Sequence, residues 1–300
     1  MKTKILIAGG TGFLGYHLCK KAIKKNLIVH SLSKTKPSKK RKVKKVKYIL
    51  GDILKYNSLK KIKKDYTFII NSSGYGGNEI LYKKKKLSNS FLFGVRNLIK
   101  KINKKKLKKF IQIGTSNEYG TCKAPQKEYM KSHPINNYGK AKLDCTNFLL
   151  NFYKNKNFPC VIFRLFQVYG PNQYNNRIIP FVINKSFQNK SFAVTKADQI
   201  RDFCYVEDIV EAIFKSLKNK KVNGKIINLG SSKPIQLKKL IELIKNIIKK
   251  GKPLYGKKKI KIKENLRLYP DITKAKVLLK WSPKFNLIRG VKKTIKSESK

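Results

Sequence analysis

Lys4-Ile5-Leu6-Ile7-Ala8 runs straight into Gly9-Gly10-Thr11-Gly12-Phe13-Leu14-Gly15, and the reading of this stretch decides the fold. The first five residues are mostly apolar and suit a buried strand. His17-Leu18-Cys19-Lys20-Lys21-Ala22-Ile23 follows at helical spacing. Strand, glycine turn and helix in that order are the context of a dinucleotide-binding loop. Gly9 lets the chain turn sharply, Gly12 lets backbone approach a pyrophosphate, and Gly15 lets the helix close on the strand. The helix N-terminus offers unpaired N–H groups to phosphate charge, with Thr11, Phe13 and Leu14 completing the loop. The glycines are spaced three and three rather than two and three, and alone such a triplet also fits an ordinary strand–helix turn.

Outward from this loop the chain alternates. Strand-like runs at Ile28-Val29-His30-Ser31-Leu32, at Tyr48 to Ile53 and at Tyr66 to Asn71 are followed by Phe110 to Gly114 and Cys160 to Leu165. Helical stretches are expected over Ser58 to Lys64, over Leu87 to Ile102 and from Tyr138 onward, with an exposed basic loop at Lys34 to Lys45. Strands alternating with helices of this length imply an α/β fold with a doubly wound parallel sheet. Ser72-Ser73-Gly74-Tyr75-Gly76-Gly77 reads as a second glycine-rich turn. The rhythm loosens after Gly170, where Pro171-Asn172-Gln173 and Asn175-Asn176 signal turns. The expected division is a Rossmann domain over 1–170 and a smaller, mainly substrate-binding lobe over 171–300. About 202–230 is expected to pack back on the first sheet. The tail Ser297 to Lys300 is expected to fray.

A chain of 300 residues with 41% hydrophobic content, 16 Phe and 15 Tyr can bury a real core. No apolar run reaches membrane-spanning length and no signal peptide is evident. The five scattered cysteines (Cys19, Cys122, Cys145, Cys160, Cys204) suggest neither a disulfide framework nor a metal site, and fit a reducing cytoplasm. The net charge of +57 invites a nucleic-acid or anionic-surface reading. The lysines are spread over nearly every segment, however, as a compositional drift would leave them, so no specific nucleic acid is expected. In such a background an arginine or an acid says more than a lysine.

Tyr138-Gly139-Lys140-Ala141-Lys142 puts a phenol and an ammonium on one helical face. A phenol with its ordinary pKa near 10 catalyses proton transfer poorly at neutral pH, and a cation one turn away favours the phenolate. Upstream, Gly114-Thr115-Ser116-Asn117-Glu118-Tyr119-Gly120 directly follows a strand, so a hydroxyl at that strand end can face the phenol. A hydroxyl, a Tyr and a Lys so arranged suit nicotinamide-dependent carbonyl and alcohol chemistry.

With these residues in place, the chain resembles the extended short-chain dehydrogenases/reductases of the NAD-dependent epimerase/dehydratase family, which act on nucleotide sugars. The likeness continues through Arg164-Leu165-Phe166-Gln167-Val168-Tyr169-Gly170-Pro171 and Arg201-Asp202-Phe203-Cys204-Tyr205-Val206-Glu207-Asp208, then Asn228-Leu229-Gly230, Asp271 to Ala275 and Trp281-Ser282-Pro283. The resemblance implies Tyr138 as acid–base, Lys142 as its pKa modifier and a ribose contact, and Thr115 as hydrogen-bond donor to the sugar oxygen. It implies Asp52, with Ile53 beside it, at the adenine. Gln167 and Arg201 would lie on the substrate, the guanidinium forking onto a diphosphate. A salt bridge from Arg201 to Asp202 or Glu207 is the alternative. A homodimer is an assembly this family often adopts.

Departures refine the expectation. Ser116 and Asn117 stand where the family's hexose 4,6-dehydratases carry an Asp-Glu pair, which disfavours dehydration. Ser31-Leu32-Ser33-Lys34 lacks the acid that NAD-specific members place on the ribose, so Ser33 and Lys34 suit a 2′-phosphate and NADP(H) is favoured over NAD(H). Phe91 stands where the family commonly has Asn, and Lys261 roughly where the family has a second diphosphate-binding arginine, keeping the charge but losing the fork. The expected activity is an NAD(P)-dependent 4-keto-deoxyhexose reductase on a nucleotide sugar. A 4-epimerase with bound NAD is the alternative, and a non-catalytic basic nucleic-acid-binding protein a remote one.

Overall fold

The computed structural model describes residues 3–74, 87–258 and 265–299. Seven strands form one parallel sheet: β1 (Lys4–Ala8), β2 (Ile28–Ser33), β3 (Lys47–Leu50), β4 (Phe68–Asn71), β5 (Lys109–Thr115), β6 (Cys160–Leu165) and, from further along the chain, β10 (Lys225–Leu229). Their order is β3-β2-β1-β4-β5-β6-β10, reversing direction after β1 as a doubly wound sheet does. Ligands of such sheets bind beyond the C-terminal strand ends, at that reversal.

Alternation along each strand sends side chains to opposite faces. Ile5 and Ile7 join one core with Leu18, Ile111, Phe163 and Ile209, under α1 (Phe13–Lys24), α5 (Val206–Ser216) and α7 (Thr273–Leu279). Leu6 and Ala8 join the other with Ile69, Leu98, Ala141 and Leu149, under α2 (Leu87–Lys101) and α3 (Asn137–Lys156). Covered on both faces, the strands read as near-continuous apolar runs.

The second layer is smaller. Strands β7 (Gln167–Tyr169), β9 (Ile200–Tyr205), β11 (Pro234–Gln236) and β13 (Arg267–Leu268) form one sheet, and β8 (Ser191–Ala193) pairs with β12 (Lys252–Leu254). Beside them α4 (Ile178–Phe187), α6 (Leu237–Ile248) and α8 (Leu287–Glu298) share a core of Ile179, Ile183, Phe203, Leu240, Ile244 and Val291. Asp208 closes the structure: it accepts from the Lys284 and Phe285 N–H groups, and its carbonyl accepts from the buried Trp281 indole.

Two local expectations fail. The stretch from Tyr56 to Lys61 is a 3-10 segment rather than an α-helix. The Ser58 hydroxyl donates to Asp52 O at 2.8 Å and accepts from its N–H at 2.9 Å, which favours a turn over a helix. Ser297 and Glu298 are not frayed, since α8 runs through Glu298 and that carboxylate accepts from Asn172 N–H at 3.2 Å, while Lys300 lies outside the described residues. Residues 75–77 of the second glycine turn and Lys261 lie outside the described residues. Among the described residues no helix is long and apolar enough to cross a membrane.

Candidate active site

A cleft of about 780 Å³ opens where the C-terminal ends of the main sheet meet the smaller layer. Its floor is the glycine turn. Gly9 has φ +81°, a conformation that L side chains rarely adopt, and a Cβ there would lie 2.8 Å from the backbone of Ser72 and Ser73. A Cβ on Gly15 would come within 2.0 Å of Gly9 O, so α1 can start this close to β1 only with glycine there. Gly12 caps α1 without a side-chain hydrogen bond, and the helix's first turn carries no acid. The first N–H groups therefore face the cleft with the positive end of the helix dipole, a cradle that fits a pyrophosphate.

The residues expected at the dinucleotide lie around this floor. Gly9, Thr11, Gly12, Phe13, Leu14, Gly15, Ser33, Lys34, Asp52 and Ile53 all line the cleft. Thr11 N–H donates to the Ser33 hydroxyl at 3.3 Å. The Lys34 ammonium pairs with Asp52 at 3.0 Å, joining the ends of β2 and β3. One Asp52 oxygen also accepts from Leu54 N–H at 2.9 Å, which orients the carboxylate.

The sugar end is assembled from distant segments. Thr115 ends β5 and Tyr138 opens α3, whose N-cap Asn136 accepts from Gly139 N–H at 2.8 Å. The Thr115 side chain hydrogen-bonds the Tyr138 phenol. Burial pushes that phenol up to about 12; the Glu118 carboxylate acts in the same sense, while the Arg177 guanidinium and the Thr115 hydrogen bond oppose it. At neutral pH the phenol therefore holds its proton.

Lys142 stands one layer behind the cleft. It is buried, and its Nζ donates to Ile113 O at 3.0 Å while lying 4.6 Å from the Phe91 ring centroid and 6.0 Å from that of Tyr138. Burial lowers its own pKa, with Cys145 and Glu118 acting oppositely. The aromatic side chain at 91 thus takes part in holding the ammonium, a contact an Asn could not make.

Gln167 and Arg201 also line the cleft. Arg201 donates to the carbonyls of Ile200 and Leu266 at 2.9 and 3.0 Å. The two acids considered as its partners are engaged elsewhere: Asp202 accepts from the Ser231–Lys233 turn and Glu207 pairs with Lys293 at 3.4 Å. Two residues escaped the sequence reading. Arg177, just before α4, lines the cleft and acts on the phenol. Its signal was present, as one of seven arginines among 72 basic residues. Glu118 is fully buried, and the Thr115-x-x-Glu118 capping-box spacing announces its local bond though not its distant ones.

Ser116 and Asn117 form part of the cleft wall. The neighbouring acid, Glu118, faces inward, accepting from Thr115 N–H, Thr146 and Arg164, each at 2.9 Å. The position beside the hydroxyl–phenol pair is thus polar but carries no carboxylate.

The chain is similar to known proteins over nearly its whole length. An uncharacterized UDP-glucose epimerase of Bacillus subtilis is 26% identical over 96% of this chain and 95% of its own. The UDP-glucuronic acid 4-epimerase of Bacillus cereus, solved with UDP-glucuronic acid and NAD, superimposes with TM-score 0.88 at 25% identity over 99% of both chains. The UDP-glucose 4-epimerase of Thermotoga maritima, solved with UDP-glucose, gives TM-score 0.92 at 23% identity, again over 99% of both, which shows the shared fold. The model of the NAD dependent epimerase/dehydratase family matches residues 5–230. This chain belongs to that family of enzymes.

Proposed function

We propose that the enzyme reduces the C4 ketone of a nucleoside-diphosphate deoxyhexose, using NADPH bound over the glycine turn. The observation that carries this reading is the Thr115–Tyr138 pair, held protonated by burial in the same cleft as the α1 N-terminus. When bound, the nicotinamide supplies the hydride for the sugar C4. Tyr138 gives its proton to the C4 oxygen as the carbonyl becomes a hydroxyl, while Thr115 donates a hydrogen bond to that oxygen. Arg177 offsets the negative charge that develops on the phenol as its proton leaves, while the Lys142 ammonium stays behind the cleft wall on Ile113 O, 6.0 Å from the Tyr138 ring centroid, rather than at the ribose. The first N–H groups of α1, from Phe13 to Gly15, take the pyrophosphate, while Gly12 N–H is spent on Gly9 O at 3.0 Å, and Asp52, with Ile53, meets the adenine. Ser33 and Lys34 meet the 2′-phosphate, because no carboxylate stands at the end of β2 to repel it. Gln167 and Arg201 hold the nucleotide-sugar side. In this division residues 1–170 carry the dinucleotide and 171–300 most of the sugar nucleotide.

The polar but uncharged wall at Ser116 and Asn117 argues against elimination of water, which needs an acid–base pair there. A 4-epimerase using bound NAD is the second reading, supported by the end-to-end similarity to proteins named as 4-epimerases or UDP-glucose epimerases. It would use the same residues, with Tyr138 first accepting a proton. Cofactor stoichiometry separates the two. In a screen of nucleoside-diphosphate 4-keto-deoxyhexoses and hexoses with NADH and NADPH, the reductase consumes one reduced cofactor per product. Turnover with no net change in absorbance at the reduced nicotinamide would favour the epimerase, and no turnover of any nucleotide sugar would overturn both.

A further inference from the structure

Beneath the sugar end lies a polar cluster that the reaction itself does not use. Glu118 is 0% exposed and Arg164 2%, and they pair at 2.9 Å. One Glu118 oxygen accepts from Thr115 N–H; the other accepts from the Arg164 Nε and the Thr146 hydroxyl. Arg164 also donates to Ser132 at 3.0 Å and lies 4.4 Å from the centroid of Tyr119, which in turn donates to Asn228. Each of these contacts aims a donor at one of its two oxygens.

We propose that Glu118, with Arg164, is the positioning residue of the active site, fixing Thr115 against the helix that carries Tyr138 and Lys142. The placement argues it. Tyr138, Lys142 and Thr146 follow one another at four-residue spacing on α3, so they share a face, and Glu118 grips the last of the three. The same carboxylate grips the backbone of Thr115, and Arg164 anchors both to β6. Gly114 leaves room for this approach, since a Cβ there would lie 2.6 Å from the Glu118 carboxylate. Stability alone does not account for the pair, because well-packed apolar side chains of similar volume are commonly as stable as a buried ion pair.

The charge also reaches the phenol. Two charged groups act on Tyr138, Glu118 raising its pKa and Arg177 before α4 lowering it, and the Lys142 ammonium on α3 stands 6.0 Å from its ring centroid. Burial is the main reason the phenol stays protonated, and the Glu118 carboxylate acts in the same direction.

This inference rests on Tyr138 being the acid, so its test includes a readout that needs no substrate. Thr146→Val deletes one grip with little change in volume. It is expected to lower kcat on the order of tenfold with KM within about twofold, and Thr146→Ser to restore it. Glu118→Gln is expected to lower kcat about a hundredfold. It should also move the Tyr138 titration to lower pH, read as the ultraviolet difference between each protein and its Tyr138→Phe counterpart. Wild-type kcat in Thr146→Val, or an unmoved titration in a folded Glu118→Gln, overturns the proposal. Should Glu118→Gln not fold, the Thr146→Val and Thr146→Ser pair decides. Should no nucleotide sugar be turned over, the proposed function falls while the titration still judges the positioning pair.

Discussion

At the C-terminal end of β5, Thr115 leads into Glu118, a buried carboxylate paired with an equally buried guanidinium. At the other end of the same strand, Lys109 is 1% exposed, and its ammonium is held by Asn219 O at 2.8 Å and by the Asn223 side-chain oxygen. One end buries a charge with a countercharge; the other buries a charge among neutral acceptors. The consequence shows in their ionisation. Burial pulls Lys109 down to about 8, the Cys160 thiol acting weakly against it. Neutral oxygens satisfy donors without supplying the opposite charge that desolvation demands. Despite burial, the guanidinium beside the chemistry is thus held above its ordinary range by its countercharge, whereas the ammonium at the far end is pulled down toward neutrality.

If the two ends divide labour in this way, variants at the site end should cost turnover and leave folding nearly intact. Tyr138→Phe is the severest case. Loss of the acid should lower kcat by about 10²- to 10⁴-fold, with a melting temperature close to wild type. A large loss of stability instead would mean that the phenol serves packing more than chemistry. Arg201→Gln comes next. Losing a charge-assisted grip on phosphate should raise KM for the nucleotide sugar roughly ten- to hundredfold, with kcat much less affected. An unchanged KM would assign Arg201 to the carbonyls of Ile200 and Leu266 alone.

Lys34→Glu sharpens the comparison at the dinucleotide rim. The new carboxylate would stand beside Asp52, now paired with Lys34 at 3.0 Å, and would repel a 2′-phosphate. The ratio of kcat/KM for NADPH over NADH should fall about tenfold, since repulsion adds to a lost ion pair at a half-exposed site. A constant ratio would show that the end of β2 does not read the 2′ position.

What the sequence disclosed follows the range of the contacts. Gly9 and Gly15 are legible because they answer to their own neighbours: one needs φ +81° and the other lies against Gly9 O. The α/β alternation is legible for the same reason, each strand being an apolar run bounded by turn residues. Thr115 and Tyr138 were paired in advance because each belongs to a motif with a known spacing, and the fold brings them together. Lys142 shows the limit of that method. Helical spacing places it on the face of Tyr138 but does not reveal that Ile113 O and the Phe91 ring draw the ammonium behind the cleft wall. Glu118 was illegible beyond its capping box, because Thr146 and Arg164 lie 28 and 46 residues away. The 3-10 segment at Tyr56–Lys61 was misread because a side-chain bond from Ser58 outweighed helical propensity.

The smallest effect on turnover belongs to the far end of β5. Lys109 is held near 8 in the fold against an ordinary value near 10.4 in the unfolded chain, so between these values the unfolded state binds more protons. The wild type should therefore gain stability as pH rises from about 8 to about 10, by on the order of 2 kcal/mol from this residue. Below the folded value the ammonium is charged in both states and its penalty is fully present. With 64 other lysines in the chain, the absolute curve mixes many titrations. The informative quantity is the difference between wild type and Lys109→Met in urea unfolding at pH 7 and pH 10. That difference should shift toward the wild type at the higher pH, while kcat at neutral pH stays within about twofold, since Lys109 lies at the opposite end of the strand from Thr115. A difference independent of pH would mean that the Asn219 and Asn223 oxygens compensate the buried ammonium fully. The contrast between the two ends of β5 would then be one of partners and not of charge.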